Sequence, residues 1–347
     1  MLASGACSGD DGQDGGGDDR SEEPVPRTPE LAERDDPLPT VTPTPQDIRW
    51  LGPDVAVTAA ATVVAGPEVD EGTITVLTEV LEGAGATDVT VTSPPADSAD
   101  GGLGGTSGGD RESGDTSDGD ETSGDGEDSG GDDGDGDGDG DGEHARLTVY
   151  IGAADDAALA AALDDVGVTV PADLPAEGYA LAAHGWSDGS GTVVLAGADD
   201  AGTFYAAQTL RQLSADGSVA GVGIVDHPTM QHRGTVEGFY GSPWTTDERL
   251  DQLAFYGRFK LNTYIYAPKD EPYHRDRWRD PYPADRLADV RALVDAAAAN
   301  HVRFTFAVSP GVSICYSSPD DLAALSDKLA SVYDLGVRSF SIALDDI

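Results

Sequence analysis

Acid–base chemistry needs ionisable side chains gathered at one rim, and four short stretches of this chain offer them. Each closes a run rich in Val, Ile, Tyr or Phe. The first run ends in Glu237, Gly238, Phe239 and Tyr240, and the second ends in Tyr266, with Lys269 and Asp270 just beyond. The third ends in Ser309-Pro310-Gly311 and the fourth in Asp345-Asp346. Two carboxylates held side by side cannot both ionise easily, so one keeps its proton and can serve as a general acid. Successive strand residues point to opposite faces, so such a pair serves one pocket only where the strand is ending or twisting. Asp345 and Asp346 stand at that point. A plainer reading is helix capping and loop salt bridges, with Lys269 pairing to Asp270. Spacing alone leaves both readings open.

The elements that must position these residues are legible in the hydrophobic pattern. Strands are predicted over 233–238 (RGTVEG), 261–267 (LNTYIYA), 303–309 (RFTFAVS) and 338–344 (RSFSIAL). Helices are predicted over 246–259, 283–300 and 319–335, with Pro283 near one start, Asn300 at its end and Gly336 as the terminator of the last. Strands joined by helical crossovers are parallel and wind right-handed. That leaves a doubly wound sheet or the first half of a (β/α)8 TIM barrel. A dinucleotide-type sheet carries a Gly-rich turn after its first strand, whereas Gly238-Phe239-Tyr240-Gly241 sets aromatics where a pyrophosphate would approach the backbone. The barrel is favoured, and its working residues lie past the C-terminal ends of its strands.

Upstream, residues 46–226 form a small α/β domain. Strands are expected in 54–64, 87–92, 146–152, 177–183 and 192–195, and helices over 69–83, 155–165 and 201–213, the last introduced by Asp199 and Asp200. A Gly/Asp/Ser low-complexity insert over 96–144 interrupts this domain. Its Asp-Gly alternation lacks the spaced apolar residues of a calcium-binding β-roll, so a solvated loop is expected. Residues 1–45 read as a flexible linker. The net charge of −45 is unevenly spread, with just over half of it in these two segments and the folded parts acidic too, and it argues against nucleic-acid or anionic-membrane partners. There are two cysteines, Cys7 and Cys315, too few for a cysteine-type metal site. Cys7 follows a short run of small residues and precedes a polar tail, like the end of a bacterial lipoprotein signal. Cys7 is thus a candidate lipid-attachment residue for a secreted or cell-surface protein with a possible membrane tether.

RGTVEGFYGSPWT, LNTYIYAPKDEPYHRDRWR, the SPG at Ser309 and GVRSFSIALDDI together resemble, in order and spacing, the catalytic domain of glycoside hydrolase family 84. That family includes bacterial β-N-acetylglucosaminidases and the eukaryotic enzymes that remove O-linked N-acetylglucosamine. The likeness covers about 232–347, and the upstream domain is similar to the non-catalytic domain preceding such barrels. The resemblance implies substrate-assisted, retaining hydrolysis of terminal β-linked N-acetylglucosamine through an oxazoline, without metal or organic cofactor. By the motif match, Asp345 would orient the acetamido N–H and Asp346 would be the general acid and then base. Gly238 and Lys269 would line the substrate pocket. The expected partners are glycans or glycoconjugates bearing N-acetylglucosamine. Two positions depart from the family pattern: Ser313 and Glu271 stand where members commonly have Asp. Cys315 is expected to be an inert buried thiol. Since the family's barrel has eight strands and four are read here, the chain is expected to be an incomplete fragment, inactive or poorly folded alone. Two alternatives are a carbohydrate-binding or adhesion protein with a degenerate barrel, and a family 20-type hexosaminidase, which would carry an Asp-Glu pair instead.

Overall fold

A computed structural model describes residues 36–94 and 146–344. Cys7, Asp345 and Asp346 lie outside the described residues, as do the acidic insert over 96–144 and residues 1–35 of the segment read as a linker.

The upstream part is built on one seven-stranded sheet. Its elements are β1 (Asp47–Trp50), β2 (Val55–Ala56), β3 (Ala60–Ala65), α1 (Glu71–Gly83), β4 (Asp88–Thr92), β5 (Leu147–Ala153), α2 (Ala157–Asp165), β6 (Tyr179–Gly185), β7 (Gly191–Gly197), α3 (Asp200–Leu213), β8 (Ser214–Ala215), β9 (Ser218–Val219) and β10 (Val222–Asp226). The sheet order is β1-β10-β6-β7-β5-β3-β4, while β2, β9 and β8 form a small separate sheet. Strands β7, β5, β3 and β4 run parallel, and β6, β10 and β1 are added antiparallel. Helices α1 and α3 bury Leu77, Leu81, Phe204 and Leu210 against one face, and α2 buries Leu159 and Leu163 against the other. Each helix starts on an aspartate that accepts a backbone N–H: Asp70 from Thr73, Asp156 from Ala158, and Asp199 from Gly202. Strands β1 and β10 carry no separate signal in the sequence reading. They are stabilised by pairing Asp47 with Val225 across the length of the domain, which local periodicity does not encode.

The second sheet contains β11 (Gly234–Glu237), β12 (Thr263–Tyr266), β13 (Arg303–Val308) and β14 (Ser339–Ile342), alternating with α4 (Thr246–Arg258), α5 (Ala284–Ala299) and α6 (Pro319–Tyr333). All four strands are parallel, and their spatial order is their chain order. Gly234 allows the first pair to close, because a Cβ there would stand 1.6 Å from the Thr263 carbonyl oxygen. Helix α4 begins with a reciprocal Thr245–Glu248 capping box, and α6 with Ser318 followed by Pro319.

One core joins the three helices to the sheet: Leu253 and Tyr256 from α4, Leu293 from α5 and Val332 from α6 meet Tyr264, Phe304 and Phe306. A doubly wound sheet would carry helices on both faces. Here no helix among the described residues covers the opposite face, where Val236 is 57 % exposed, and Phe340 and Ile342 are exposed on the edge strand β14. The sheet is a partial, barrel-like one.

Candidate active site

Parallel pairing in register brings the C-terminal ends of all four strands to one edge, where the loops after β11, β12 and β13 converge. The first two loops are stapled together. The Lys269 N–H donates to the Phe239 carbonyl at 3.1 Å, and the Gly241 N–H donates to Asp270 Oδ2 at 2.7 Å. Gly238 and Lys269 therefore stand at the same rim. Asp270 accepts from Gly241, and the alternative Lys269–Asp270 ion pair is not formed. Gly238 does not adopt a left-handed conformation, and a Cβ there would press on Val236 Cγ1 at 3.2 Å. The fourth strand reaches the same edge, since the Ala343 N–H continues the pairing to the Val308 carbonyl at 2.8 Å. The described chain ends at Leu344, one residue before Asp345.

Beneath the rim lies a buried charge cluster that sequence reasoning did not assemble. Glu237 is 0 % exposed. It accepts from Arg249 Nε at 2.8 Å and from a second Arg249 nitrogen at 2.7 Å, from the Trp244 N–H at 3.2 Å, and from the Tyr264 hydroxyl. Burial, then the neighbouring carboxylate, pushes the Tyr264 hydroxyl well above its ordinary pKa and keeps it a donor. With its oxygens occupied, Glu237 is no free acid or base. Its chemistry is to tie β11, α4, β12 and the Trp244 loop into one unit. The signal was a carboxylate inside the predicted strand 233–238, but its partner stands twelve residues away on a helix.

The β12–α5 loop is irregular yet firmly held. Glu271 accepts from the His274 N–H at 2.7 Å and from the Tyr282 hydroxyl at 2.9 Å. Lys328 of α6 donates to the Tyr273 carbonyl at 3.1 Å and lies over the Tyr282 ring at 4.3 Å. Desolvation brings the Lys328 pKa down to about 8. Ser313 accepts from Trp278 Nε1 at 3.0 Å, and Arg279 pairs with Asp321 at 2.6 Å. Glu271 and Ser313, the two departures from the family pattern, are thus anchors of these loops. Cys315 corrects its expectation: it is exposed on the β13–α6 loop, where its backbone N–H donates to Asp321 at 2.7 Å and its thiol lies 3.6 Å from the Ser317 hydroxyl.

At the opposite ends of the strands a polar seam joins the two parts. Arg233 pairs with Glu177, Asn262 Nδ2 donates to Glu177 Oε1 at 2.7 Å, and Lys260 Nζ donates to the Tyr179 hydroxyl at 2.6 Å and to Asp226 at 3.2 Å. A cleft of about 190 Å³ lies there, lined by these same charged groups. Each of them is already partnered, so the cleft belongs to the seam.

Comparison with known proteins completes this geometry. A β-N-acetylglucosaminidase family model matches residues 233–347, and a model of glycosyl hydrolase family 20, domain 2, matches residues 38–227. The solved structure of CpGH84B superposes with a TM-score of 0.63 at 28 % identity, covering 89 % of this chain and 44 % of that one. Together these matches support a glycoside hydrolase family 84-type β-N-acetylglucosaminidase domain over residues 233–347. The chain is 38 % identical over 134 residues to protein O-GlcNAcase of Rattus norvegicus, covering 39 % of this chain and 15 % of the rat protein. The Mus musculus protein O-GlcNAcase matches to the same extent. The chain thus spans about a sixth of these curated relatives. The solved structure of CpGH84D shares the fold, with a TM-score of 0.65 at 22 % identity over 88 % of this chain and 44 % of that one. The family 20 likeness is confined to the upstream part, whereas the rim described above falls inside the β-N-acetylglucosaminidase match.

Proposed function

We propose that the natural polypeptide containing this sequence is a retaining β-N-acetylglucosaminidase that acts on terminal β-linked N-acetylglucosamine. The observation that carries this reading is the stapled rim: Gly238 and Lys269 meet at the C-terminal edge of a parallel sheet within the β-N-acetylglucosaminidase match. In this reading β11–β14 are the first half of a (β/α)8 barrel. The ordinary retaining scheme uses one carboxylate as the nucleophile. Here the sugar's own acetamido oxygen bonds to the anomeric carbon as the bond to the aglycone oxygen breaks. Asp346 delivers its proton to that leaving oxygen. Asp345 holds the acetamido N–H and stabilises the positive charge spreading over the forming oxazoline. Asp346, now ionised, takes a proton from water as it opens the ring, restoring the β configuration. Lys269 donates to the sugar, and Gly238 leaves room for it against the backbone.

General-acid help matters most when the leaving group is a poor one. Asp346→Asn is therefore expected to cost far more on alkyl or glycoprotein substrates than on aryl glycosides with acidic phenols. Equal losses across the series would remove Asp346 from the acid's role. We also infer that the protein is tethered outside the cell through a lipid on Cys7. The motif of small residues, Cys and a polar tail supports this. Detergent partitioning that is unchanged in Cys7→Ser would dismiss it.

A further inference from the structure

Three consecutive residues of the rim are each bonded to the neighbouring β12–α5 loop. The Phe239 carbonyl accepts the Lys269 N–H at 3.1 Å, the Tyr240 hydroxyl accepts from Arg275 at 2.6 Å, and the Gly241 N–H donates to Asp270 Oδ2 at 2.7 Å. At its base the same β11–α4 loop closes on Glu237, whose Oε1 accepts the Trp244 N–H at 3.2 Å. Gly238 thus lies between the buried Glu237 and a turn that is held from outside by residues 269, 270 and 275.

Gly241 is the pliable point of this turn. Its φ is +104°, in the region that glycine enters without strain, and a Cβ there would meet nothing within 4 Å. Open space surrounds it, so packing does not select that conformation. The hydrogen bond to Asp270 does, and a carboxylate acceptor makes it a charge-assisted, stronger one. Asp270 itself is exposed. Water competes for an exposed acceptor, so the bond adds little to global stability, and its effect is on local geometry.

We propose that Asp270 is a positioning residue: by accepting from the Gly241 N–H it fixes the turn over residues 238–241, and with it the placement of Gly238 relative to Lys269. The effect on turnover rests on the reading of Gly238 and Lys269 as sugar contacts; the hold on Gly241 does not. Lys269 and Asp270 are adjacent, so one short stretch of chain carries the sugar's donor and also fixes the turn beside it. A turn ordered before the sugar arrives removes part of the ordering cost of binding.

Two substitutions separate positioning from charge and from folding. Asp270→Asn keeps a carbonyl oxygen that can accept from Gly241 but removes the charge, whereas Asp270→Ala removes the acceptor. In the natural full-length polypeptide, Asp270→Ala should raise KM for an aryl β-N-acetylglucosaminide about tenfold with a smaller change in kcat, and Asp270→Asn should stay near the wild type. An unchanged KM in Asp270→Ala, or equal losses in both variants, would overturn the proposal. The denaturant midpoint of Asp270→Ala should stay close to that of the wild type. A large fall would make Asp270 a folding residue and would overturn the proposal too. The bond is also read without turnover, from exchange of the Gly241 amide hydrogen, which should be about tenfold faster in Asp270→Ala than in the other two proteins. One rate shared by all three would overturn the hold on Gly241 even in an active enzyme. Faster exchange in Asp270→Ala, beside a wild type that hydrolyses nothing, would instead overturn the proposed activity alone.

Discussion

At the scale of single residues, Glu237 and Arg249 make the sharpest stability prediction. Removing one partner of a buried, hydrogen-bonded ion pair leaves the other charge uncompensated, which costs about 3–5 kcal/mol. Glu237→Gln should lower the unfolding free energy by an amount of that order, read as a lower denaturant midpoint at unchanged slope. A loss near zero would mean that the pair does not hold β11 to α4. Residues of this kind show why the site was only partly legible. Gly238 and Lys269 could be read because short motifs fix their distance from a strand end. The bond from Glu237 to Arg249 could not, since it depends on how α4 is rotated against the sheet. Cys315, expected to be buried, is exposed because the loop turns its backbone N–H toward Asp321 and its thiol outward.

At the scale of elements, the β12–α5 loop carries Lys269 and is held by α6 through Lys328. The pKa of Lys328 is about 8 when folded and near the ordinary lysine value when unfolded. Below pH 8 both states hold the proton, and the folded state bears the cost of a buried charge. As pH rises from 8 toward the ordinary value, the folded chain releases the proton while the unfolded chain keeps it. Stability contributed by this group therefore rises across that window. The thermal midpoint of the wild type relative to Lys328→Met should climb between pH 8 and 10, and a flat difference would contradict the buried ammonium. Strands β11 to β14 were legible because each is a compact β-rich run separated by a periodic helix. The loop between β12 and α5 was not, because it is organised by side chains that reach it from other elements. Strands β1 and β10 escaped notice likewise, since their pairing joins residues 178 positions apart at Asp47 and Val225.

At the scale of the whole molecule, the bottom of the barrel-like sheet is fastened to the upstream domain and the rim faces away from it. Arg233, Lys260 and Asn262 reach Glu177, Tyr179 and Asp226, and His301 Nε2 lies 3.3 Å from Asp70. The two parts should therefore unfold as one cooperative transition by calorimetry. Lys260→Met combined with Arg233→Leu should split it in two, and a single unsplit peak would show that the remaining contacts, Asn262–Glu177 and His301–Asp70 among them, suffice to couple the parts. The account stands most directly on whether the acetamido oxygen is the nucleophile. In the natural full-length polypeptide, replacing the N-acetyl methyl hydrogens by one, two and three fluorines weakens that oxygen stepwise. The rate of hydrolysis should fall steeply along this series at constant leaving group. A rate indifferent to fluorination would show that an enzyme carboxylate attacks instead, and the proposed chemistry would be wrong.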